Sequence, residues 1–308
     1  MTDISVVVVS CGNVSLTISC LSSLIEYTFN SAQILLIDNG SPEGIKTFLE
    51  KFCQERDIDF VSLHKNFGPG FARRIGLQHA KHEIVSFVDD DIVVTPNWDL
   101  FLVEKLLCDS NVGQVSSIMS GSDLIHPFLR DIALSVVWSS ASSQLNVPDA
   151  IEKFVCSCSH MDFMLALKDV NSLADYELVH SPPDAIGGGC FFTRKSKLHC
   201  IGGIADVNFD TYGNEDIDLS WRIGQSGSTI FRCNLSYVHH FKHGGSEYLF
   251  SREERKELLS YSNDYFIDKW RDVIFKLISG KNIEDVNSIK ENWFLSIIFE
   301  KARNQGKS

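Results

Sequence analysis

Apolar and polar positions in the first third of the chain follow two alternating patterns. Short continuous apolar runs predict strands, and apolar residues at helical spacing predict helices between them. The predicted strands cover residues 4–9, 33–38, 60–63 and 84–88. The predicted helices cover residues 16–28, 43–56 and 70–80. Apolar strands linked by helices are typical of an α/β fold with a mostly parallel sheet flanked by helices.

Polar or glycine-rich residues follow each of these strands, at residues 10–13, 38–41, 66–70 and 89–91. Ordinary turns also use Asn, Asp, Gly and Ser, so each segment alone has two interpretations. Ligands of open α/β sheets, however, bind beyond the carboxyl ends of the strands. Because all four ends share this chemistry, we expect a ligand site at this edge of the sheet.

The fourth strand ends on three consecutive acids, Asp89, Asp90 and Asp91. Adjacent carboxylates repel one another unless a positive group compensates them. A divalent cation would do so, and hard oxygen ligands suit Mg²⁺ or Mn²⁺ held together with substrate phosphates. The alternative interpretation is an exposed acidic turn that caps a helix near Pro96.

Beyond residue 108 the patterning is less regular. Residues 109–185 are interpreted as an insertion or substrate loop with some helix rather than as a separate domain. The later predicted elements are a strand entered through residues 187–189, a helix that starts near Asn214, strands at residues 229–232 and 235–238, and amphipathic helices from about Arg252. We expect the terminal helices to pack on the preceding domain.

Composition narrows the class of protein. The chain has 308 residues and a formal net charge of −12, which argues against stable binding of bulk nucleic acid. Nine cysteines, an odd number, fit reduced thiols in a cytoplasm better than a disulfide framework. A zinc site at Cys156, Cys158 and His160 is an alternative that the spacing disfavours. Neither a signal peptide nor a spanning apolar run is present, so we predict a cytoplasmic protein, with a peripheral position at the inner face of a membrane as the alternative.

Taken in order, the motifs resemble those of the family 2 glycosyltransferases of the GT-A fold. The resemblance covers about residues 3–250 and rests on residues 6–10, 37–41, 66–76, 87–91, 187–194, 202–203 and 212–222. Each motif alone is weak, but their shared order is specific. The resemblance implies an inverting, metal-dependent transfer of a sugar from a nucleotide sugar, linked to UDP, GDP or dTDP, to an acceptor hydroxyl.

The resemblance also implies roles on the donor side. Asp89 and Asp91 form the Asp-x-Asp pair that holds Mn²⁺ or Mg²⁺ at the diphosphate, where a metal assists departure of the leaving group. A histidine from a later strand completes the metal site. Of His239, His240 and His243, the match favours His240.

The nucleotide itself is expected at the strand-end loops. Asp38 would hydrogen-bond the base or ribose, and Asp89 would also lie near the ribose. The other donor-binding candidates are Ser10, Asn39, Asn66, Gly70, Arg74 and Asp90. The sequence departs from the family at Arg74, where many members have Asn, and at residues 10–13, which read Ser-Cys-Gly-Asn in place of Thr-Tyr-Asn. Arg74 could reach a phosphate or pair with a surface acid.

An inverting transfer needs a base for the acceptor hydroxyl. Glu215 and Asp216 stand where the family keeps its acceptor-side acids, with Asp216 as the base and Glu215 as its acceptor-binding neighbour or as the alternative base. Acids that merely favour a helix N-terminus are the competing interpretation.

These inferences predict a catalytic domain at residues 1–250, with a donor half at 1–108 and an acceptor half at 109–250, and a helical extension at 251–308. The acceptor could be a carbohydrate, a lipid-linked sugar, another hydroxyl compound or a modified nucleic acid. Two alternatives stay open: a nucleotidyltransferase that makes a nucleotide sugar, which would need a basic loop after the first strand, and an inactive nucleotide-sugar-binding protein.

Overall fold

The computed structural model describes residues 1–119, 174–209, 212–241 and 251–279. Its strands are β1 (Asp3–Ser10), β2 (Ser31–Asp38), β3 (Asp59–Ser62), β4 (Ile84–Asp89), β5 (Ile92–Val94), β6 (Val112–Met119), β7 (Tyr176–Val179), β8 (Cys190–Arg194) and β9 (Thr229–His240). Its helices are α1 (Val14–Tyr27), α2 (Glu43–Gln54), α3 (Pro69–His79), α4 (Leu100–Cys108), α5 (Lys195–Cys200), α6 (Glu215–Gln225), α7 (Arg252–Lys269) and α8 (Arg271–Ser279).

All these strands belong to one mixed sheet in the order β3-β2-β1-β4-β8-β6-β9-β5, and β7 pairs with β9 outside that path. The first four strands are parallel, as the patterning predicts. Their register sets Ser10 beside Asp38 and Val9 beside Asp89. The polar segments that follow these strands therefore meet at one edge of the sheet.

Helices cover both faces of the sheet because successive residues of a buried strand point to opposite sides. Val6 and Val8 pack in one apolar layer together with Leu21 of α1. Val7, between them, packs in the opposite layer with Ala72 of α3. Each such side chain stabilises the fold by about 1.5–3 kcal/mol relative to leaving it exposed.

A third apolar cluster joins the terminal helices to the rest of the molecule. Phe266 of α7, Ile274 of α8 and Trp270, which lies between these two helices, pack around Trp221 of α6. The ring centroids of Trp221 and Trp270 lie 5.3 Å apart in an edge-to-face arrangement. The predicted packing of this part of the extension is confirmed for residues 251–279.

The second half differs from the predictions at three strands: β6, β9 and β7, the last of which also lies within residues 109–185. Val112–Met119 is a buried central strand rather than part of an irregular insertion. The polar residues of β6 obscure its apolar pattern in the sequence. Their burial is compensated by hydrogen bonds: Gln114 accepts one from Ser220, and Ser117 pairs with Ser236. The two strands predicted at residues 229–232 and 235–238 are one strand, β9, which shifts register against β6 between its two halves.

No described helix is long and apolar enough to cross a membrane.

Candidate active site

A cavity of about 380 Å³ opens at the carboxyl end of β4. We group its lining residues into two walls, one with Arg73, Asp89 and His240 and the other with Gly188, Glu215 and Asp216; Arg232, Met119 and neighbouring residues complete the lining. We call this space the central cavity. It unites residues from the two halves of the chain that the sequence assigned to donor and acceptor.

The three acids of the triplet lie in two environments, because the chain turns there from β4 into β5. β4 ends at Asp89 and pairs with β8, whereas β5 begins at Ile92 and pairs with β9. Asp90 faces α1 instead of the central cavity and accepts a hydrogen bond from the Thr17 hydroxyl at 3.1 Å. Burial raises the pKa of Asp90 to about 7. Asp90, a predicted donor ligand, is thus held within the fold, and the triplet does not cap a helix near Pro96, since α4 begins at Leu100.

Asp89, Asp91 and His240 converge as the sequence predicts. One potential ligand atom from each lies within 4.8 Å of the others. The pairing of Ile92 with His240 brings the β9 histidine beside the triplet. His240 Nε2 lies 3.1 Å from Asp91 Oδ1, and this buried oxygen accepts no hydrogen bond from the part of the chain that the structure describes. Two carboxylates, one with an unsatisfied oxygen, and an imidazole form a donor set that fits Mn²⁺ or Mg²⁺.

The other candidate histidines lie elsewhere. His239 points to the opposite side of β9, where its ring packs edge-to-face on Phe241 at 4.4 Å. Burial lowers its pKa to about 4. His243 lies outside the described residues, as do Cys156, Cys158 and His160 of the alternative zinc site.

Arg73 is the central residue that sequence reasoning missed. Its guanidinium, only 6% exposed, donates to Asp89 at 2.8 Å and to Glu215 at 3.1 Å, and it also reaches the Gly188 carbonyl. Burial disfavours the charge, but Asp89 and Glu215 outweigh it and raise the pKa of Arg73. Arg73 therefore links the two walls of the central cavity. Its place on the buried face of α3 was the available signal.

Arg74, the arginine that the sequence analysis singled out, lies next to it on α3 but turns away. Its guanidinium lies over the ring of Phe71, 5.3 Å from the centroid. Because consecutive helical residues point about 100° apart, only one of the two arginines can face the central cavity.

Glycines let the acid-bearing helix approach the metal candidates. A Cβ on Gly188 would lie 3.0 Å from the Arg73 guanidinium and 3.1 Å from Asp216 Cβ. A Cβ on Gly189 would lie 3.6 Å from the His240 ring. The glycine run before β8 thus leaves room for Arg73, Asp216 and His240 around one backbone segment.

The acid pair at the start of α6 has contrasting surroundings. Asp216 accepts hydrogen bonds from two backbone amides, Gly188 N and Ile217 N, each at 2.8 Å. The Glu215 side chain is 11% exposed, and its partial burial, followed by the charge of Asp216, raises its pKa to about 7 in spite of Arg73. Glu215 Oε2 has no hydrogen-bond partner among the described residues. The pair does lie at a helix N-terminus, but both acids also line the central cavity.

The remaining donor candidates lie in the loops at the ends of β1, β2 and β3. Asp38 is fully buried and accepts hydrogen bonds from Ser41 N and the Ser62 hydroxyl. Asn39 binds Asn66 Oδ1 at 2.9 Å. The Ser10 hydroxyl bonds Thr17 at 2.7 Å, and Gly70 is buried in the first turn of α3. These residues share one edge of the sheet with Asp89, but their side chains hold the loops to one another.

The fold and this arrangement of acids define a GT-A glycosyltransferase. The family model described as glycosyl transferase family 2 matches residues 5–161, and the chain belongs to that family. This finding and the mixed sheet confirm the family and fold class predicted from the motifs.

Individual relatives are distant. The chain is 22% identical over 245 residues to a hyaluronan synthase of Pasteurella multocida, which covers 79% of this chain and 25% of that protein. It is 23% identical over 274 residues to a chondroitin synthase of Escherichia coli, covering 83% of this chain and 37% of that protein. The chain therefore spans between a quarter and two fifths of the length of these relatives. The crystal structure of GalNAc-T7 with UDP, GalNAc and Mn²⁺ superposes with a TM-score of 0.55 at 21% identity, covering 77% of this chain and 43% of that one, and this likeness concerns the fold alone.

Proposed function

We propose that this protein transfers a sugar from a nucleoside-diphosphate sugar to an acceptor hydroxyl, with inversion at the sugar carbon and with a divalent metal ion. The observation that carries the proposal is the central cavity, which is lined by Asp89 and His240 of the carboxylate–histidine cluster and also by a second pair of acids, Glu215 and Asp216. Two distinct acidic groups suit a displacement in which one holds the metal at the leaving group and the other supplies the base.

Asp89, Asp91 and His240 would hold the metal ion, and Mn²⁺ or Mg²⁺ fits the ligand types. When bound, the ion would supply Lewis-acid stabilisation of the diphosphate leaving group. Arg73 holds Asp89 in place through its buried ion pair. Asp91 Oδ1 supports the assignment, because it lies 3.1 Å from His240 Nε2 and accepts no hydrogen bond from the described residues, and a buried carboxylate oxygen is costly unless a positive group compensates it.

Asp216 is proposed as the base that takes the proton of the acceptor hydroxyl. Asp216 lines the central cavity, and two backbone amides donate to its carboxylate and so fix its orientation there. Glu215 has an oxygen without a partner among the described residues, and an acceptor hydroxyl can donate to it. Glu215 would therefore orient the acceptor, or replace Asp216 as the base.

A carbohydrate acceptor and a UDP-linked donor are the first candidates to test. The relatives named hyaluronan synthase and chondroitin synthase support a carbohydrate, and the structure of GalNAc-T7 was determined with UDP and Mn²⁺. We further propose the division into a donor half at residues 1–108, an acceptor half at 109–250 and an extension at 251–308, and a cytoplasmic location.

A thermal-shift screen of nucleotide sugars with and without Mn²⁺ tests the proposal, since a ligand that binds only the native state raises the melting temperature. We expect a metal-dependent shift with one donor class. His240→Ala should abolish that shift, whereas His239→Ala, which alters the neighbouring buried ring, should lower the melting temperature but keep the shift. A shift that is absent with every donor, or that survives His240→Ala unchanged, would contradict the proposal.

A further inference from the structure

The two residues that precede the acid pair have an unusual backbone. Gly213 has φ +86° and Asn214 has φ +66°, and the first intrahelical bond of α6 runs from Asp218 N to the Asn214 carbonyl. A non-glycine residue in the left-handed region is strained and persists only where its surroundings hold it there. The conformation of these two residues sets the direction in which α6 and its acids project.

The terminal helix α7 supplies the groups that hold this backbone. Asn214 Nδ2 donates to Ser262 Oγ and to Asn263 Oδ1, each at 2.9 Å. The Ser262 hydroxyl in turn donates to the Gly213 carbonyl at 2.6 Å. All three side chains in this set are buried, with Asn214 4%, Ser262 1% and Asn263 6% exposed. Buried hydrogen bonds of this kind are costly to leave unmade, so they fix geometry effectively.

A glycine at position 213 suits both the positive φ of the turn and the close approach of α7. A Cβ there would lie 2.9 Å from Leu259 Cδ1. Gly213 therefore serves two needs at once: it adopts a positive φ, and it leaves space for the α7 side chains against the backbone.

A second set of contacts anchors the same face of α6 one turn later. The fully buried carboxylate of Asp218 accepts hydrogen bonds from Trp270 Nε1 at 2.9 Å and from Arg222 Nε at 2.7 Å, and Lys269 Nζ lies 2.6 Å away. Asn214 and Asp218 are four residues apart and share one side of the helix, whereas Glu215 and Asp216 point elsewhere, into the central cavity.

From these contacts we propose that α7 is a positioning element of the catalytic centre. Ser262 and Asn263 fix the left-handed turn at Asn214, and this turn aims Glu215 and Asp216 at the acceptor hydroxyl. Ser262 and Asn263 do not line the central cavity and are positioning residues, not catalytic ones. The inference rests on the proposed function of Asp216, and it adds that the acid pair depends on a part of the chain that lies after the predicted catalytic domain.

Three variants of the full chain test it. Asn263→Leu removes the acceptor oxygen for Asn214, and Asn263→Asp keeps an oxygen at that place. Ile274→Ala, in α8, weakens the apolar cluster that packs the terminal helices on Trp221, and it leaves the contacts of Asn214 intact. It therefore serves as the control for a merely structural effect.

We expect Asn263→Leu to lower kcat by roughly ten- to hundredfold, since misplacement of a reacting group by about 1 Å has such an effect. Its affinity for the nucleoside diphosphate with Mn²⁺ should stay at the wild-type value, because the donor wall is untouched. Asn263→Asp should recover most of the lost kcat. Ile274→Ala should lower the melting temperature at least as much as Asn263→Leu while keeping kcat close to wild type.

Hydrogen exchange provides a readout that does not depend on activity. In Asn263→Leu the Asp218 amide, which bonds to the Asn214 carbonyl, should exchange faster by about tenfold or more, while amides of β4 keep the wild-type rate. If the wild-type protein transfers no sugar from any donor, the proposed function fails, and the exchange experiment still decides whether α7 holds the turn. Unchanged exchange at Asp218, or equal losses of kcat in Asn263→Leu and Ile274→Ala, would overturn the inference.

Discussion

The donor loops, at the ends of β1, β2 and β3, and the acid pair of α6 are held in different ways. The donor loops are held by contacts among themselves: Asn39 bonds Asn66 and Gly68, and Asp38 bonds Ser41 and Ser62. The acids of α6, which line the central cavity, depend on Arg73 and on the terminal helix α7. The donor loops therefore hold one another, whereas the acid pair is held by other elements of the fold.

Two of the buried side-chain atoms without a hydrogen bond from the described residues belong to the candidate active site, Asp91 Oδ1 and Glu215 Oε2. Glu215 lines the central cavity, and Asp91 contacts His240, which also lines it. Buried polar groups in folded proteins are normally paired, so each exception needs an explanation. The proposed metal ion would satisfy the first oxygen and the proposed acceptor hydroxyl the second.

The largest change in stability is expected at Arg73, which joins the two walls. Arg73→Met leaves Asp89 and Glu215 without their shared cation, and removal of one partner from a buried ion pair costs about 3–5 kcal/mol. Urea unfolding measures the loss. Arg74→Met, one position along the same helix, should cost about 0.5 kcal/mol or less as the matched control.

A double variant sharpens this test. If Arg73 acts through Glu215, Arg73→Met combined with Glu215→Gln should be more stable than Arg73→Met alone, because one unpaired buried carboxylate is gone. Equal losses for Arg73→Met and Arg74→Met would show that the buried ion pairs do not join the walls.

An intermediate change is expected in the donor loops. Asn39→Ala removes the bonds to Asn66 Oδ1 and the Gly68 carbonyl, and the bond that Asn39 Oδ1 accepts from Phe67 N. We expect a loss of about 2 kcal/mol, measured by urea unfolding, since the partners are left unsatisfied. Asn39→Asp keeps only the oxygen that accepts from Phe67 N, so its stability should lie between those of wild type and Asn39→Ala. A wild-type stability for Asn39→Ala would mean that these loops are not held by their own contacts.

The smallest change is expected where α7 meets Asp206. Burial alone would raise the pKa of this carboxyl from its ordinary 3.8, but hydrogen bonds from the Asn208 backbone and from Lys269 and Tyr265 lower it to about 2. The native state therefore holds this proton less strongly than the unfolded chain. The resulting stability is present above about pH 4 and is lost as the pH falls through 2.

Asp206→Asn should accordingly destabilise the protein by about 1 kcal/mol at neutral pH, after a discount for solvent screening. The difference from wild type, followed by urea unfolding across pH, should shrink toward about pH 2. A difference that grows on acidification would contradict the assigned direction of the pKa shift.

The contrast between the donor loops and the acid pair also explains which features could be predicted from the sequence. The parallel strands and the polar segments after them were predictable, because apolar runs and turn residues are local signals. The family motifs predicted that Asp89, Asp91 and His240 share one metal site, and in the fold one potential ligand atom from each lies within 4.8 Å of the others.

Other features depend on contacts that no local pattern encodes. Asp90 looks equivalent to its neighbours in sequence, and only the passage from β4 to β5 directs it to Thr17. Arg73 and Arg74 are adjacent and chemically identical. Which of the two enters the central cavity depends on which face of α3 is buried. The role of Ser262 and Asn263 depends on a contact with Asn214 about fifty residues earlier, as the separations of 48 and 49 positions show.

The division of labour between the walls can be tested by one paired measurement. The Kd of the nucleotide sugar with Mn²⁺ is determined by calorimetry for wild type, Asp91→Ala and Asp216→Asn, and transfer is assayed on the same samples. We predict that Asp91→Ala abolishes donor binding, whereas Asp216→Asn binds the donor as wild type does and loses transfer by about 10²–10⁴-fold. Equal loss of donor binding in both variants, or full donor binding by Asp91→Ala, would contradict the separation of donor and proton-transfer roles.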